Sequence, residues 1–220
     1  MTARSGLPGV LAALTLAIVG LSLALALSPQ QTTEPPLTFP VGQAPWGVGF
    51  DGENVWVVNR AHGSNSTVNV IRASDGYYVM TPTVGPRPLF TAFDGTNMWV
   101  TNSDNDTVSV VRASDGFNVM IPTVGDNPRG IAYDGTNMWI ANIDSGDVTI
   151  LRASDGGFAA SYPAGLGPWG LAYDGVNMWV TTEFSKTNVA LPCVSMANLK
   201  HRYKPTVGPV MPEFAEGRPV

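Results

Sequence analysis

The phrase Phe50-Asp51-Gly52-Glu53-Asn54-Val55-Trp56-Val57 returns as Phe93-Asp94-Gly95-Thr96-Asn97-Met98-Trp99-Val100, and again at 133–140 and 173–180. This recurrence predicts an all-β protein, a β-propeller of about four blades with four antiparallel strands each. Three observations carry that fold class. The aspartates of the phrase, Asp51, Asp94, Asp134 and Asp174, lie 43, 40 and 40 residues apart, the length of one blade. A second phrase keeps the same step, as Arg72-Ala73-Ser74-Asp75-Gly76, Arg112-Ala113-Ser114-Asp115-Gly116 and Arg152-Ala153-Ser154-Asp155-Gly156. And 24 glycines with 18 prolines in 220 residues suit many short strands joined by tight turns.

The elements follow in chain order. In residues 1–28, Arg4 precedes an uncharged stretch over 7–27, and Ala24-Leu25-Ala26 reads as a small-residue cleavage site. This is an export signal, and its length also suits an uncleaved anchor across a bilayer of about 30 Å. With either outcome the rest of the chain is expected outside the cytoplasm: secreted, periplasmic or at the cell surface. Residues 29–36 are a polar, proline-bearing linker. Residues 37–208 hold the repeats, at about 41–83, 84–123, 124–163 and 164–206, and 209–220 form an irregular tail.

The third repeat shows how one blade is written. Gly130-Ile131-Ala132-Tyr133 runs into the Asp134-Gly135 hairpin turn, and Met138-Trp139-Ile140-Ala141-Asn142 is the second strand. After a polar loop, Val148-Thr149-Ile150-Leu151-Arg152 is a third strand dense in β-branched and apolar residues. Ser154-Asp155-Gly156 turns the chain again, and 158–163 is the outer strand, where Pro163 is tolerated because an edge need not donate every N–H.

Trp56, Trp99, Trp139 and Trp179 recur at one strand position per blade and are expected to form the core between sheets, where a large ring buries most area. Arg72, Arg112 and Arg152 recur with equal regularity, so each is expected to pair with an aspartate of its own or an adjacent blade. A binding site breaks repeat symmetry, which directs attention to the loops at one rim. Trp46 and Trp169 follow prolines where the other repeats carry Leu89 and Arg129. The first repeat is three residues longer than the second, in the loop that holds Arg60 and His62. Arg87, Asp104, Asn127, Asp144 and Glu183 occupy corresponding loops, and with Trp46, Arg60, His62, Arg129 and Trp169 they are the candidate binding residues.

A formal charge of −5 gives no basic footprint for nucleic acid. The single cysteine, Cys193, excludes an intramolecular disulfide and a thiolate metal cage. The acidic loops 103–106 and 144–147 carry oxygen donors of the kind calcium uses but lack the spacing of a calcium loop. No cofactor, metal or catalytic set is expected.

Trp99-Val100-Thr101-Asn102, with Trp56-Val57-Val58-Asn59, Trp139-Ile140-Ala141-Asn142 and Trp179-Val180-Thr181-Thr182, resembles the Tyr-Val-Thr-Asn signature of the YVTN family of β-propeller repeats. Its looser relatives are NHL-type propellers and virginiamycin B lyases. The resemblance covers 41 to about 189 and implies an extracytoplasmic propeller used for binding. The lyase relatives use a top-face histidine and acidic residues with magnesium, whereas His62 and His201 here sit in no matching motif.

The pattern breaks after residue 189, where the third strand of the fourth repeat should end in Arg-Ala-Ser-Asp-Gly and a basic run at 200–204 follows instead. Pro205-Thr206-Val207-Gly208 then restores the phrase of Pro82-Thr83-Val84-Gly85 and Pro122-Thr123-Val124-Gly125, so the fourth repeat is expected to be completed and a fifth to begin without continuing. At the other end, Leu37-Thr38-Phe39-Pro40-Val41-Gly42 matches an outer strand with no blade before it, the kind of terminal strand by which propellers close a ring. Three arrangements are therefore open: a four-blade ring or arc, a truncated fragment, and a homodimer forming eight blades. The functional expectation is a non-enzymatic scaffold that binds a protein or glycan through its rim loops. A propeller-type lyase or hydrolase, or a degenerate propeller without activity of its own, are the alternatives.

Overall fold

The computed structural model describes residues 37–60, 66–183 and 189–192. The expected signal or anchor at 1–28, the linker at 29–36, His62, Cys193 and the tail at 209–220 lie outside them. All strands belong to a unit spanning Pro40–Val220. Blade 1 comprises β1 (Pro45–Phe50), β2 (Asn54–Asn59), β3 (Thr67–Arg72) and β4 (Tyr78–Met80). Blade 2 comprises β5 (Pro88–Phe93), β6 (Asn97–Asn102), β7 (Thr107–Arg112) and β8 (Asn118–Met120). Blade 3 comprises β9 (Pro128–Tyr133), β10 (Asn137–Asn142), β11 (Asp147–Arg152) and β12 (Phe158–Pro163). Blade 4 comprises β13 (Pro168–Tyr173), β14 (Asn177–Thr182) and β15 (Val189–Pro192). Each is one antiparallel sheet with its strands in sequence order, and the fourth has three strands among the described residues.

The recurring phrase folds as a clamp. In blade 3, Asp134 Oδ1 accepts the backbone N–H groups of Thr136 and Asn137 at 2.8 and 2.7 Å, closing the hairpin turn, while Gly135 supplies a φ of 96°. Its other oxygen accepts the indole N–H of Trp139 at 2.6 Å. Asp51, Asp94 and Asp174 hold Trp56, Trp99 and Trp179 in the same way, at 2.7, 2.6 and 2.7 Å. A tryptophan can enter an apolar interface only if its N–H finds a partner. The aspartate five residues upstream provides it, a role the sequence reading had limited to turn formation.

The end of the Trp-x-x-Asn phrase ties the second strand to the third. Asn102 Nδ2 donates to Thr107 and Ser109 hydroxyls at 3.0 Å each, and Asn142 Nδ2 to Asp147 and Thr149 at 3.1 and 2.8 Å. The third-strand hydroxyls accept in turn from the segment entering the blade, as Gly85 N–H to Ser109 Oγ at 3.1 Å and Gly125 N–H to Thr149 Oγ1 at 3.3 Å.

The core is divided into three layers between successive blades. Trp56, Val58 and Val70 of blade 1 pack with Met98, Val100 and Val111 of blade 2. Trp99, Val108 and Val110 pack with Ile131, Met138, Ile140 and Leu151. Trp139, Val148 and Ile150 pack with Met178 and Val180. Trp56, Trp99 and Trp139 are fully buried, and truncating any of them to alanine costs about 3–5 kcal/mol. Trp179 departs from the expected core: it is 45 % exposed, because no described blade covers its face. The arginines ending the third strands pair with the aspartate of their own turn, Arg72–Asp75 at 3.1 Å, Arg112–Asp115 at 2.8 Å and Arg152–Asp155 at 3.0 Å.

Candidate functional site

The blades have two unlike ends. At one lie the Asp-Gly hairpins and the Arg-Asp turns, which repeat almost without change. At the other the loops after each second strand meet the segments that enter each inner strand, and here the sequence varies. Every described candidate binding residue falls at this second end.

Its backbone is built from one repeated device. Just before each inner strand a residue takes a left-handed conformation: Ala44 (φ 48°), Arg87 (48°), Asn127 (56°) and Gly167 (65°). Its carbonyl then accepts the N–H of the residue that follows the second strand, in the pairs Arg60 to Ala44 (3.0 Å), Ser103 to Arg87 (3.1 Å), Ile143 to Asn127 (3.2 Å) and Glu183 to Gly167 (2.8 Å). Only glycine adopts this conformation without steric cost. Three of the four blades use another residue and so present a side chain at the rim.

Beside these positions, cationic and aromatic side chains pair. The Arg60 guanidinium lies 4.8 Å from the ring centre of Trp46, and that of Arg129 lies 4.7 Å from Trp169, each within cation–π range. Arg60 and Trp46 belong to one blade, whereas Arg129 reaches from blade 3 to blade 4. Arg87 pairs with Asp104 at 3.2 Å, and Asn127 donates from Nδ2 to Asp144 at 3.0 Å and from its backbone to Asp106 at 2.8 Å. Burial, and then the charges of Arg87 and Arg60, push the Arg129 guanidinium below its ordinary range, with Asp144 and Glu183 opposing. The charges of two arginines on the preceding blades thus reach Arg129, although 42 and 69 residues separate them from it in sequence. The Nε of Arg129 is buried and makes no hydrogen bond among the described residues. Beside Trp169 is a hollow of about 380 Å³, also lined by Thr181, Thr182 and Glu183.

The acidic loops are occupied by the protein's own bonds. Asp147 accepts from Asn142, Ser145 and Ser161. Burial pushes its carboxyl up, and these hydrogen bonds outweigh burial and hold it below the usual carboxylate range. Asp144 and Asp104 serve Asn127 and Arg87 as described. At the opposite end, a groove of about 500 Å³ between blades 2 and 3 is lined by Asp94, Tyr133, Asn137 and Arg152. Burial and the neighbouring Asp94 and Asp134 raise the Tyr133 phenol above its ordinary range. Asp94, Asn137 and Arg152 are part of the repeat, whereas the Tyr133 position is phenylalanine in blades 1 and 2.

No protein-family profile matches the chain, and no curated protein matches it in sequence. Solved structures do match in fold. Kuenenia stuttgartiensis hydrazine synthase is 21 % identical over 75 % of this chain and 53 % of its own, with a TM-score of 0.58. A 6-phosphogluconolactonase-like protein from Bacteroides uniformis is 15 % identical over 73 % of this chain and 56 % of its own, with a TM-score of 0.62. The computationally designed Ika4 protein is 11 % identical over 71 % of this chain and 99 % of its own, with a TM-score of 0.60. The chain spans about half the length of the two natural neighbours. At these identities the likeness is one of fold, and it agrees with the four antiparallel blades: the chain is a β-propeller.

Proposed function

We propose that the chain is an exported or membrane-tethered, non-enzymatic propeller of the YVTN kind that binds a carboxylate-bearing glycan at its variable end. The observation that carries this reading is the pairing of Arg60 with Trp46 and of Arg129 with Trp169 at that end of the blades, where Arg87 also lies. An arginine fork is matched to a carboxylate, and an indole face offers the apolar platform on which the C–H face of a sugar ring stacks. The paired amide and carboxylate groups of Asn127 and Asp144 supply planar donors and acceptors for hydroxyls. The export signal that the sequence suggests at 1–28 fits this reading, in which the partner is an envelope or extracellular polymer. A protein ligand rich in acidic side chains is the other partner this surface suits.

The test is a glycan array probed with the full-length chain in mild detergent, carrying uronic-acid polymers beside neutral analogues of the same backbone. Binding to the acidic polymers alone, weakened by salt and lost in Arg129→Ala, is expected. Equal binding to neutral analogues, or no glycan retained at all, would sink the proposal.

A further inference from the structure

Among the described residues, the row of blades ends in two faces that no other blade covers, and each carries the residues that face a neighbouring blade elsewhere in the row. On the blade 1 side, Val48 and Phe50 are 67 % and 55 % exposed. Their counterparts in blade 3, Ile131 and Tyr133, lie in the layer between blades 2 and 3. On the blade 4 side stands the half-exposed Trp179, whose three counterparts are each sealed by a following blade.

The inner strands repeat the message. A Cβ on Gly47 or Gly130 would collide with the carbonyl oxygen of Leu89 or Trp169 in the next inner strand. Glycine at these two positions is what lets successive strands approach. Gly170 holds the same position in β13, yet a Cβ there would meet only the Thr181 hydroxyl, at 3.1 Å. At the joint between blades 2 and 3 the approach is fastened by Thr101, whose hydroxyl donates to the carbonyl of Arg129 at 3.0 Å. Thr181 is the blade 4 counterpart of Thr101. Blade 4 therefore carries both the clearance and the hydroxyl for a following blade.

Among the described residues the strands are unbalanced in the same sense. Blade 4 has three described strands, while residues 37–41 carry the outer-strand phrase and belong to no sheet. In blade 3 the outer strand pairs Ala160 with Ile150 and Ser161 with Thr149. Transferred by the repeat, Leu37 and Thr38 are the residues that pair with Ala190 and Val189 of β15.

We propose that two copies of this chain join head to tail, blade 4 of each packing on blade 1 of the other, into one closed ring of eight blades. Residues 37–41 of each copy then supply the outer strand of the other's last blade. A head-to-tail contact makes a ring when its rotation closes, and a propeller typically has four to eight blades. Two four-blade units reach that upper number and three exceed it. Closure brings the partner's Trp46 to the hollow beside Trp169, so that the arginine and tryptophan face of one copy continues into the next. The inference stands on the blade faces and holds whatever the rim binds.

Light scattering on a size-exclusion column, with the protein mass separated from bound detergent, tests it on the full-length chain at micromolar concentration. Twice the chain mass is expected. Val48→Asp places a charge on a face that is exposed in the single copy, so it is expected to give the single-chain mass with an unchanged far-ultraviolet circular dichroism spectrum. Gly170→Ala, whose Cβ meets no backbone within its own chain and asks only the Thr181 hydroxyl to give by a few tenths of an ångström, is expected to weaken dimerisation at least tenfold and serves if the first variant loses its fold. A wild-type chain at single mass, a ladder of larger assemblies, or a dimer that both variants leave intact would overturn the proposal.

Discussion

Replacing Asp134 by asparagine changes the clamp by one atom and tests whether it holds the blade together. The aspartate accepts two backbone N–H groups through Oδ1 and the Trp139 indole N–H through Oδ2. In the amide, either orientation turns an NH₂ toward a donor. If it faces the indole, a fully buried ring keeps an unpaired N–H; if it faces the turn, the hairpin loses its acceptor. Loss of a charge-assisted bond and the desolvated donor overlap, so the cost is about 2–4 kcal/mol. For a domain of this size that corresponds to a fall of about 5–15 °C in the thermal midpoint. The assay is a double-mutant cycle read by thermal and urea unfolding, with Trp139→Phe as the second change. Phenylalanine has no N–H to satisfy, so the double variant is expected to be more stable than the sum of the singles by about 1–3 kcal/mol. Additivity within about 0.5 kcal/mol would refute the argument and reduce the aspartate to a turn residue.

Other outcomes follow from the same structure. Ala44→Gly relieves a left-handed φ of 48° at the position where blade 4 already has Gly167, and is expected to raise stability by about 0.5 kcal/mol in urea unfolding; a loss would count against strain there. Gly130→Ala is expected to unfold or loosen the joint between blades 3 and 4, because its Cβ meets backbone rather than a side chain that could move, and protection of blade 4 amides from hydrogen exchange should drop with it. Arg112→Ala breaks an exposed pair and is expected to change stability by less than about 1 kcal/mol, so a large effect would mean the turn arginines do more than pair locally. The backbone N–H of Asn177, the Trp179 indole N–H and the backbone N–H of Val176 hold the Asp174 carboxyl down at about 2, and Asp51 is likewise held low: burial pushes it up, but hydrogen bonds from Asn54, Trp56 and Glu53 outweigh this. Because these folded values lie below the unfolded carboxylate value of about 3.9, their contribution is complete above about pH 5 and disappears as pH falls toward 2. Thermal midpoints from pH 7 to pH 2 should therefore show an acid limb that Asp174→Asn makes shallower, and an unchanged limb would contradict the clamp at that blade.

What the sequence determines by itself is everything that repeats. The 40-residue step, the hairpin turns and the buried indoles at 56, 99 and 139 are all settled by neighbours within one blade or the next, and such terms are nearly identical from blade to blade. From sequence each turn arginine is expected to pair with an aspartate, and the fold decides that it is the one in its own turn. Even the rim was legible as the place where Trp46, Arg60, Arg87 and Arg129 break the pattern. The aspartate's bond to the tryptophan five residues on was not, since it exists only once the hairpin has folded back and turned both side chains to one end. Tertiary structure alone decides two further matters. It brings the charges of Arg60 and Arg87 to bear on Arg129, because stacked blades carry their loops and strand entries to a common end, whatever their distance in sequence. And it leaves Trp179 and Val48 on open faces, because closure depends on the summed rotation of all the joints, and no single repeat encodes that sum.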